Sequence, residues 1–296
     1  MRNWLLVVLV VLPLVAADGA KSGADPLAAI LVPGEEWQVA VEGLGFADGL
    51  SYDSAGNVYF GDLRGPNAGV YKLAADGTRT KLADGGRSGT RLGPDGRLYA
   101  CGGKTLVAID PEKVTPIAEN IGTNDLAVTF NGHVYVTDTG NKQVTLVDPR
   151  TGEAKAADTG INAPNGIGLS PDHKTLYVSD YGGTNVWAFK VNSDGTLSDK
   201  RPLMTMKAPA NKPTVAGGDG LTVDSDGRVY VTSALGLQVF EPSGKLLGVM
   251  AKRGNGPLVS AGFGGKDLNY LYLANGDKIY RRKVTAHGAR PPVDLK

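Results

Sequence analysis

Apolar and polar residues alternate along most of this chain in short runs, and each run is bounded by Gly, Asn, Asp or Pro. Alternation with a period of two gives a strand two distinct faces, and the bounding residues are those that reverse a chain. The stretch from Asn165 to Gly195 shows the unit most completely. Asn165-Gly166 opens it, an apolar strand follows, and Pro171-Asp172-His173-Lys174 makes a turn. Leu176 to Asp180 is a second strand, Val186 to Val191 a third, and Asn192-Ser193-Asp194-Gly195 closes the unit. The pattern predicts an antiparallel meander.

Related units begin at Asp48, Ser88, Asn124, Asp219 and Ser260, so that successive starts are 40, 36, 41, 54 and 41 residues apart. Repeats of that length with several short strands each are the mark of propeller blades. The expected fold is all-β: a six-bladed β-propeller of four-stranded antiparallel blades over residues 35–284. Glu36 to Val41 also alternates, and its place before the first blade predicts that it completes the last one, leaving no open edge. Tyr59, Tyr99, Tyr135, Tyr177, Tyr230 and Tyr272 recur at one position of the unit and are expected to pack between sheets. Asp62, Asp138 and Asp180 end the second strands, where a turn or inter-strand hydrogen bond is expected.

The ends of the chain read differently. Arg2, the apolar run Leu5 to Val15 and the small residues Ala16-Ala17 predict a signal peptide over 1–17 and hence a secreted or periplasmic protein, with no membrane association after cleavage. Residues 18–34, rich in Ala, Gly and Pro, read as a linker, and 285–296 as a flexible tail. A formal net charge of +1 argues against a nucleic-acid groove. Cys101 is the only cysteine, so no internal disulfide can form, and it is expected to act as a packed apolar residue. His133 and His173 fall in turns and His287 in the tail, which leaves no inward-facing histidine for a zinc site or a catalytic triad.

The first residue of each unit is expected near one mouth of the central channel. These residues are Asp48, Ser88, Asn124, Asn165, Asp219 and Ser260, all polar and all bearing oxygen. Carboxylate and amide oxygens suit a hard cation such as calcium. Arg87 and Arg91 flank the Ser88 entrance and are placed either on the surface or against an anionic substrate.

The motifs Thr123-Asn124-Asp125-Leu126, Ala163-Pro164-Asn165-Gly166-Ile167, Gly218-Asp219-Gly220-Leu221 and Phe263-Gly264-Gly265-Lys266-Asp267-Leu268, in this order, resemble those of the SMP-30/gluconolactonase family. The resemblance covers roughly residues 42–284 and implies a six-bladed propeller with metal-dependent lactonase activity. It implies one divalent cation, calcium first, with magnesium, manganese or zinc as alternatives, held by Asp48, Asn165 and Asp219. Asn124, Ser88 and Arg87 are the implied substrate contacts. The first-blade acid of the family is a glutamate where this chain has Asp48, with Glu42 as a second choice, and its second-blade asparagine is Ser88 here. The expected activity is metal-assisted hydrolysis of a sugar lactone or related cyclic ester by a monomer, with Asp219 orienting or deprotonating the water. A non-catalytic propeller that binds a ligand or protein, and phosphotriester hydrolysis on the same scaffold, remain the alternatives.

Overall fold

Six four-stranded antiparallel sheets follow one another along the chain, over residues 47–84, 89–119, 126–159, 164–205, 221–251 and 258–283, the last joined by Gln38–Val41. The structure is a computed structural model that describes residues 26–110, 113–254 and 256–291. The expected signal peptide, residues 18–25 of the expected linker and residues 292–296 of the tail lie outside the described residues.

The first strand of each blade touches the first strands of both neighbours, so these strands surround a central channel. Each blade then steps outward strand by strand. Gln38 pairs with Arg281 and Val39 with Tyr280, which makes the N-terminal strand the outermost strand of the sixth blade, as the sequence predicts. Ring closure therefore joins the two ends of the chain in one sheet.

Period-two alternation explains how the blades hold together. In Val58–Asp62, Tyr59 faces the second blade while Val58 and Phe60 face the sixth. In Leu98–Gly102, Tyr99 and Cys101 face the third blade while Leu98 and Ala100 face the first. Each inner pair of strands thus supplies two interfaces, and a buried apolar cluster fills every seam between blades. The six recurrent tyrosines each fall in such a seam. Three of them also donate to a carboxylate of the preceding turn: Tyr59 to Asp53 at 2.8 Å, Tyr99 to Asp95 at 2.8 Å and Tyr230 to Asp224 at 2.9 Å. Burial of the phenol ring is thereby compatible with a satisfied hydroxyl. Cys101 is fully buried and burial pushes its thiol pKa up, in keeping with an apolar role.

Two segments differ from the sequence reading. The described part of the expected linker contains a 3-10 turn, Pro26–Ala29, whose Leu27 and neighbouring Ile30 are buried against the fifth and sixth blades. The described part of the expected tail is bound as well. Thr285 N–H donates to Ile30 O at 2.8 Å, Ser225 N–H to His287 O at 2.8 Å, and the Tyr52 hydroxyl to Ala289 O at 2.8 Å. Neither segment has a periodic pattern because each contributes isolated apolar residues and backbone bonds to a seam rather than a strand face.

The closing strand yields a direct test, because Val41 is 7 % exposed and Val39 is 48 % exposed. Val41→Asp should destabilise the protein by roughly 3 kcal/mol, since it removes a buried valine and leaves an unpaired carboxylate against an apolar cluster. Val39→Asp should stay within about 0.5 kcal/mol of wild type. Urea unfolding of the two variants measures the difference, and equal losses would exclude this mode of closure.

Candidate active site at the channel mouth

Asp48, Ser88, Asn124, Asn165, Asp219 and Ser260 lie at or near the starts of their inner strands, all at one end of the channel. Neighbouring strands approach so closely there that side chains are excluded between them. A Cβ on Gly49 would lie 2.7 Å from Ser88 O, and one on Gly220 would lie 2.6 Å from Val259 O. Gly49 also has φ +64°, a conformation that favours glycine. The glycine that follows four of the six polar residues, Asp48, Ser88, Asn165 and Asp219, is thus what lets those blades approach their neighbours.

Hydroxyls latch the ring. Ser88 Oγ donates to Asn124 O at 2.6 Å, Thr137 Oγ1 to Asn165 O at 2.6 Å, and Ser179 Oγ to Asp219 O at 2.8 Å. Ser260 Oγ accepts from Leu50 N–H at 2.9 Å and ties the sixth blade to the first. Ser88 and Ser260 therefore serve the backbone of adjacent blades, and the Ser88 proton is committed to that bond.

Asp48 and Asp219 are brought to the mouth together with an acid that the sequence reading did not single out, Asp125. Each is anchored by the next residue. Gly49 N–H donates to Asp48 Oδ1 at 2.7 Å, Gly220 N–H to Asp219 Oδ1 at 3.0 Å, and Leu126 N–H to Asp125 Oδ1 at 2.8 Å. Asp125 occupies the place where four other units have glycine, and its carboxylate lies beside Gly89 of the second blade, where a Cβ would come within 2.8 Å of Oδ1. That break in the Asn-Gly or Asp-Gly pattern was the available signal. Asn165 is 8 % exposed, and its carboxamide makes no hydrogen bond to another described residue.

Electrostatics bind the three acids into one unit. Burial pushes Asp219 up to about 7, with the charge of Asp125 adding to it and the Gly220 N–H opposing. Burial likewise raises Asp125 to about 6, against the positive charge of Arg91 and the N–H groups of Leu126 and Ile167. Asp48 is held well above the usual carboxylate range by burial and then by Asp219. Like charges in a narrow mouth with little water oppose one another's ionisation.

The donor chemistry is that of a hard-cation site: carboxylate oxygens plus one unpartnered amide. No cluster of three His, Cys, Asp or Glu side chains drawn onto a single point occurs among the described residues. The acids converge around the mouth without forming a closed cage, which fits a cation whose remaining ligands are amide oxygen and solvent.

Other expected residues fall elsewhere. Glu42 sits on the outer rim, with Lys278 Nζ at 3.2 Å, because its strand belongs to the outer edge of the sixth blade, and this removes it as a ligand. Arg87 donates from Nη1 to Thr105 Oγ1 at 3.1 Å and Gly102 O at 3.3 Å, within its own blade. Arg91 is not a surface residue; it is half-buried on Gly89–Leu92 and reaches Leu126 O at 3.4 Å. His173 does line the channel, at the opposite end from the acids. Asp62, Asp138 and Asp180 accept backbone N–H groups, including those of Phe46, Asn141 and Ala163, as expected of turn residues.

A six-bladed propeller with an acidic, oxygen-rich channel mouth is the class that this fold and site define. Within it, the chain belongs to the SMP-30/Gluconolactonase/LRE-like family, whose pattern matches residues 46–276. A gluconolactonase of Zymomonas mobilis is 25 % identical over 230 residues, which are 69 % of this chain and 64 % of that protein. The chain thus spans just under two thirds of that relative. Among solved structures, a gluconolactonase from Xanthomonas campestris has a TM-score of 0.73 at 24 % identity, covering 87 % of this chain and 92 % of that one. Regucalcin from Agrobacterium tumefaciens, a calcium-binding protein, has a TM-score of 0.72 at 17 % identity, covering 88 % and 97 %. Both share the fold.

The coupled acids have a consequence for stability. A carboxylate whose folded pKa is raised binds its proton more tightly in the folded state, so stability is lost as pH rises from the unfolded value toward the folded one. For Asp219 that window runs from the ordinary aspartate range to about 7. Chelator-treated Asp219→Asn protein should therefore be more stable than wild type at about pH 8, by on the order of 1–3 kcal/mol, and nearly equal to it at about pH 4. Urea titrations at the two pH values check this, and a difference independent of pH would refute the coupling.

Proposed function

We propose that this protein is a lactone hydrolase that works at the acidic mouth with one divalent cation, calcium first. The observation that carries the reading is the convergence of Asp48, Asp125 and Asp219 beside the unpartnered carboxamide of Asn165. Left alone, such a group of acids is costly; a bound cation offsets that cost. The family membership and the similarity to a gluconolactonase support the same reading, as does the calcium-binding neighbour in fold.

Asp48, Asn165 and Asp219 would hold the cation, and Asp125 stands close enough to share its field. When bound, the cation supplies Lewis-acid polarisation of the ester carbonyl. The remaining work falls to the chain. Asp219 has Oδ1 tied to Gly220, which fixes its rotamer and leaves Oδ2 to accept a proton from the attacking water. The water oxygen joins the carbonyl carbon, the ring C–O bond breaks, and the ring oxygen takes the proton from Asp219 as it leaves, giving a hydroxy acid and restoring the carboxylate. Asn124 offers both a donor and an acceptor to the substrate hydroxyls. Ser88 and Arg87 are hydrogen-bonded to the protein and act as the wall beside it.

The substrate we propose is a sugar lactone or related small cyclic ester, taken by a monomer exported to the periplasm or the exterior. A non-catalytic binding propeller is the second reading; the committed proton of Ser88 favours it, since one expected substrate donor is thereby spent.

Acid release from gluconolactone by protein stripped with chelator and resupplied with single ions separates the two. Turnover should vanish on stripping and return with calcium. Asp219→Ala should lower kcat by at least ~100-fold, the scale of a lost general base, whereas Asn124→Ala should act mainly on KM. Metal-independent turnover, or full activity of Asp219→Ala, would refute the mechanism, and no turnover with any ion would favour the binding propeller.

A further inference from the structure

The other end of the channel contains a separate cavity of about 80 Å³. A single water needs only about 10–15 Å³ of such space, so a small solute fits. Inner strands of the first five blades form its wall, and Ala289, Arg290 and Pro291 of the C-terminal segment lie across it. The Tyr52 hydroxyl, donating to Ala289 O at 2.8 Å, holds that segment in place.

The charge of the lining is one-sided. Arg91, Arg290 and His173 line the cavity, and among the described residues no Asp or Glu does. Of the other half-buried arginines, Arg228 pairs with Asp224 at 2.9 Å and Arg97 with Asp95 at 2.8 Å, while Arg87 is hydrogen-bonded to Thr105 Oγ1 and Gly102 O within its own blade. Arg91 has no carboxylate within ion-pair distance among the described residues, and its hydrogen bond is the long one from Nε to Leu126 O, at 3.4 Å. A guanidinium carries five N–H donors, so most of those on Arg91 are left for the cavity. Asp125 lies toward the acidic mouth, within electrostatic reach of Arg91 but beyond an ion pair.

His173 supplies a second donor. Its Nδ1 accepts the Phe130 N–H at 2.9 Å, which places the proton of the neutral ring on Nε2. The ring is stacked on Phe130 with centroids 3.5 Å apart and planes 4° apart, so its orientation is fixed. Burial pushes its pKa down to about 4, the Arg91 charge pushing the same way and Asp172 opposing, so the ring is neutral at physiological pH. Thr222 adds a hydroxyl to the same wall.

From this arrangement we propose that the cavity is a binding site for a small carboxylate, held by the Arg91 guanidinium with His173 Nε2–H as the second donor. The planar fork of a guanidinium matches the two oxygens of a carboxylate, and the volume suits an anion of the size of formate or acetate. The site lies at the opposite end of the inner strands from the acids, and its occupancy does not require the lactonase reading.

The test is thermal unfolding and calorimetric titration of the full chain, freed of metal and then of chelator, with sodium acetate against sodium chloride at equal ionic strength. Acetate should bind once per chain and raise the melting temperature in a saturable way, beyond the effect of chloride. Arg91→Met should weaken acetate binding at least ~10-fold, whereas Arg201→Met, an exposed arginine of the fourth blade, should bind as wild type. Should Arg91→Met fail to fold, Arg91→Lys decides: it keeps the charge, loses the fork, and should bind several-fold more weakly. Equal effects of acetate and chloride, or unchanged affinity in the folded Arg91 variant, would overturn the proposal. Because the readout is binding in the arginine-lined cavity, at the opposite end from the acids, lactone turnover has no bearing on the result.

Discussion

Inner strands of neighbouring blades meet at distances that exclude a side chain, and this close approach governs the site. Gly49 and Gly220 have no room for a Cβ against the next blade. The polar residue before each glycine is therefore carried to the channel mouth, and it has little choice of direction because the following N–H holds its carboxylate. Asp48 and Asp219 share this anchor, and Asp125 repeats it in the third blade. Burial at the mouth raises the proton affinity of all three acids, and like charge from a neighbouring acid adds to it at Asp48 and Asp219. The cation we propose for this mouth would relieve the same repulsion.

The two ends of the channel have opposite chemistry. Three acids stand at one end, while Arg91, His173 and Arg290 line the cavity at the other. From its end Arg91 still lowers the pKa of Asp125 at a distance. The chain termini reinforce the cationic end and the adjoining seam. Gln38–Val41 completes the sixth blade, Leu27 and Ile30 fill the seam between the fifth and sixth blades, and residues 285–289 bridge blades five, six and one.

Much of this was legible in the sequence because it is periodic. The blade count, the antiparallel meanders, the closing strand and the seam positions of the tyrosines all follow from alternation repeated at a blade length. The positions of Asp48, Asn165 and Asp219 at one mouth followed from the same register. What escaped was aperiodic. Asp125 interrupts the polar-glycine pattern and was passed over for its neighbour Asn124. Leu27, Ile30 and Ala286 are single apolar residues in segments without a strand period, so their burial leaves no pattern. The inward course of Arg91 depends on which face of a short inner strand it occupies, and the pairing of Glu42 with Lys278 depends on a contact between the two ends of the chain.

The coupling of the three acids is the central claim, and carbon-detected NMR titration of the aspartate carboxylates measures it directly. In metal-free protein, the Asp48, Asp125 and Asp219 resonances should titrate well above the ordinary aspartate range, and calcium should return those of its ligands to or below that range. Carboxylates that titrate near their ordinary value without metal, and that calcium leaves unchanged, would contradict both the convergence of the acids and the cation site built on it.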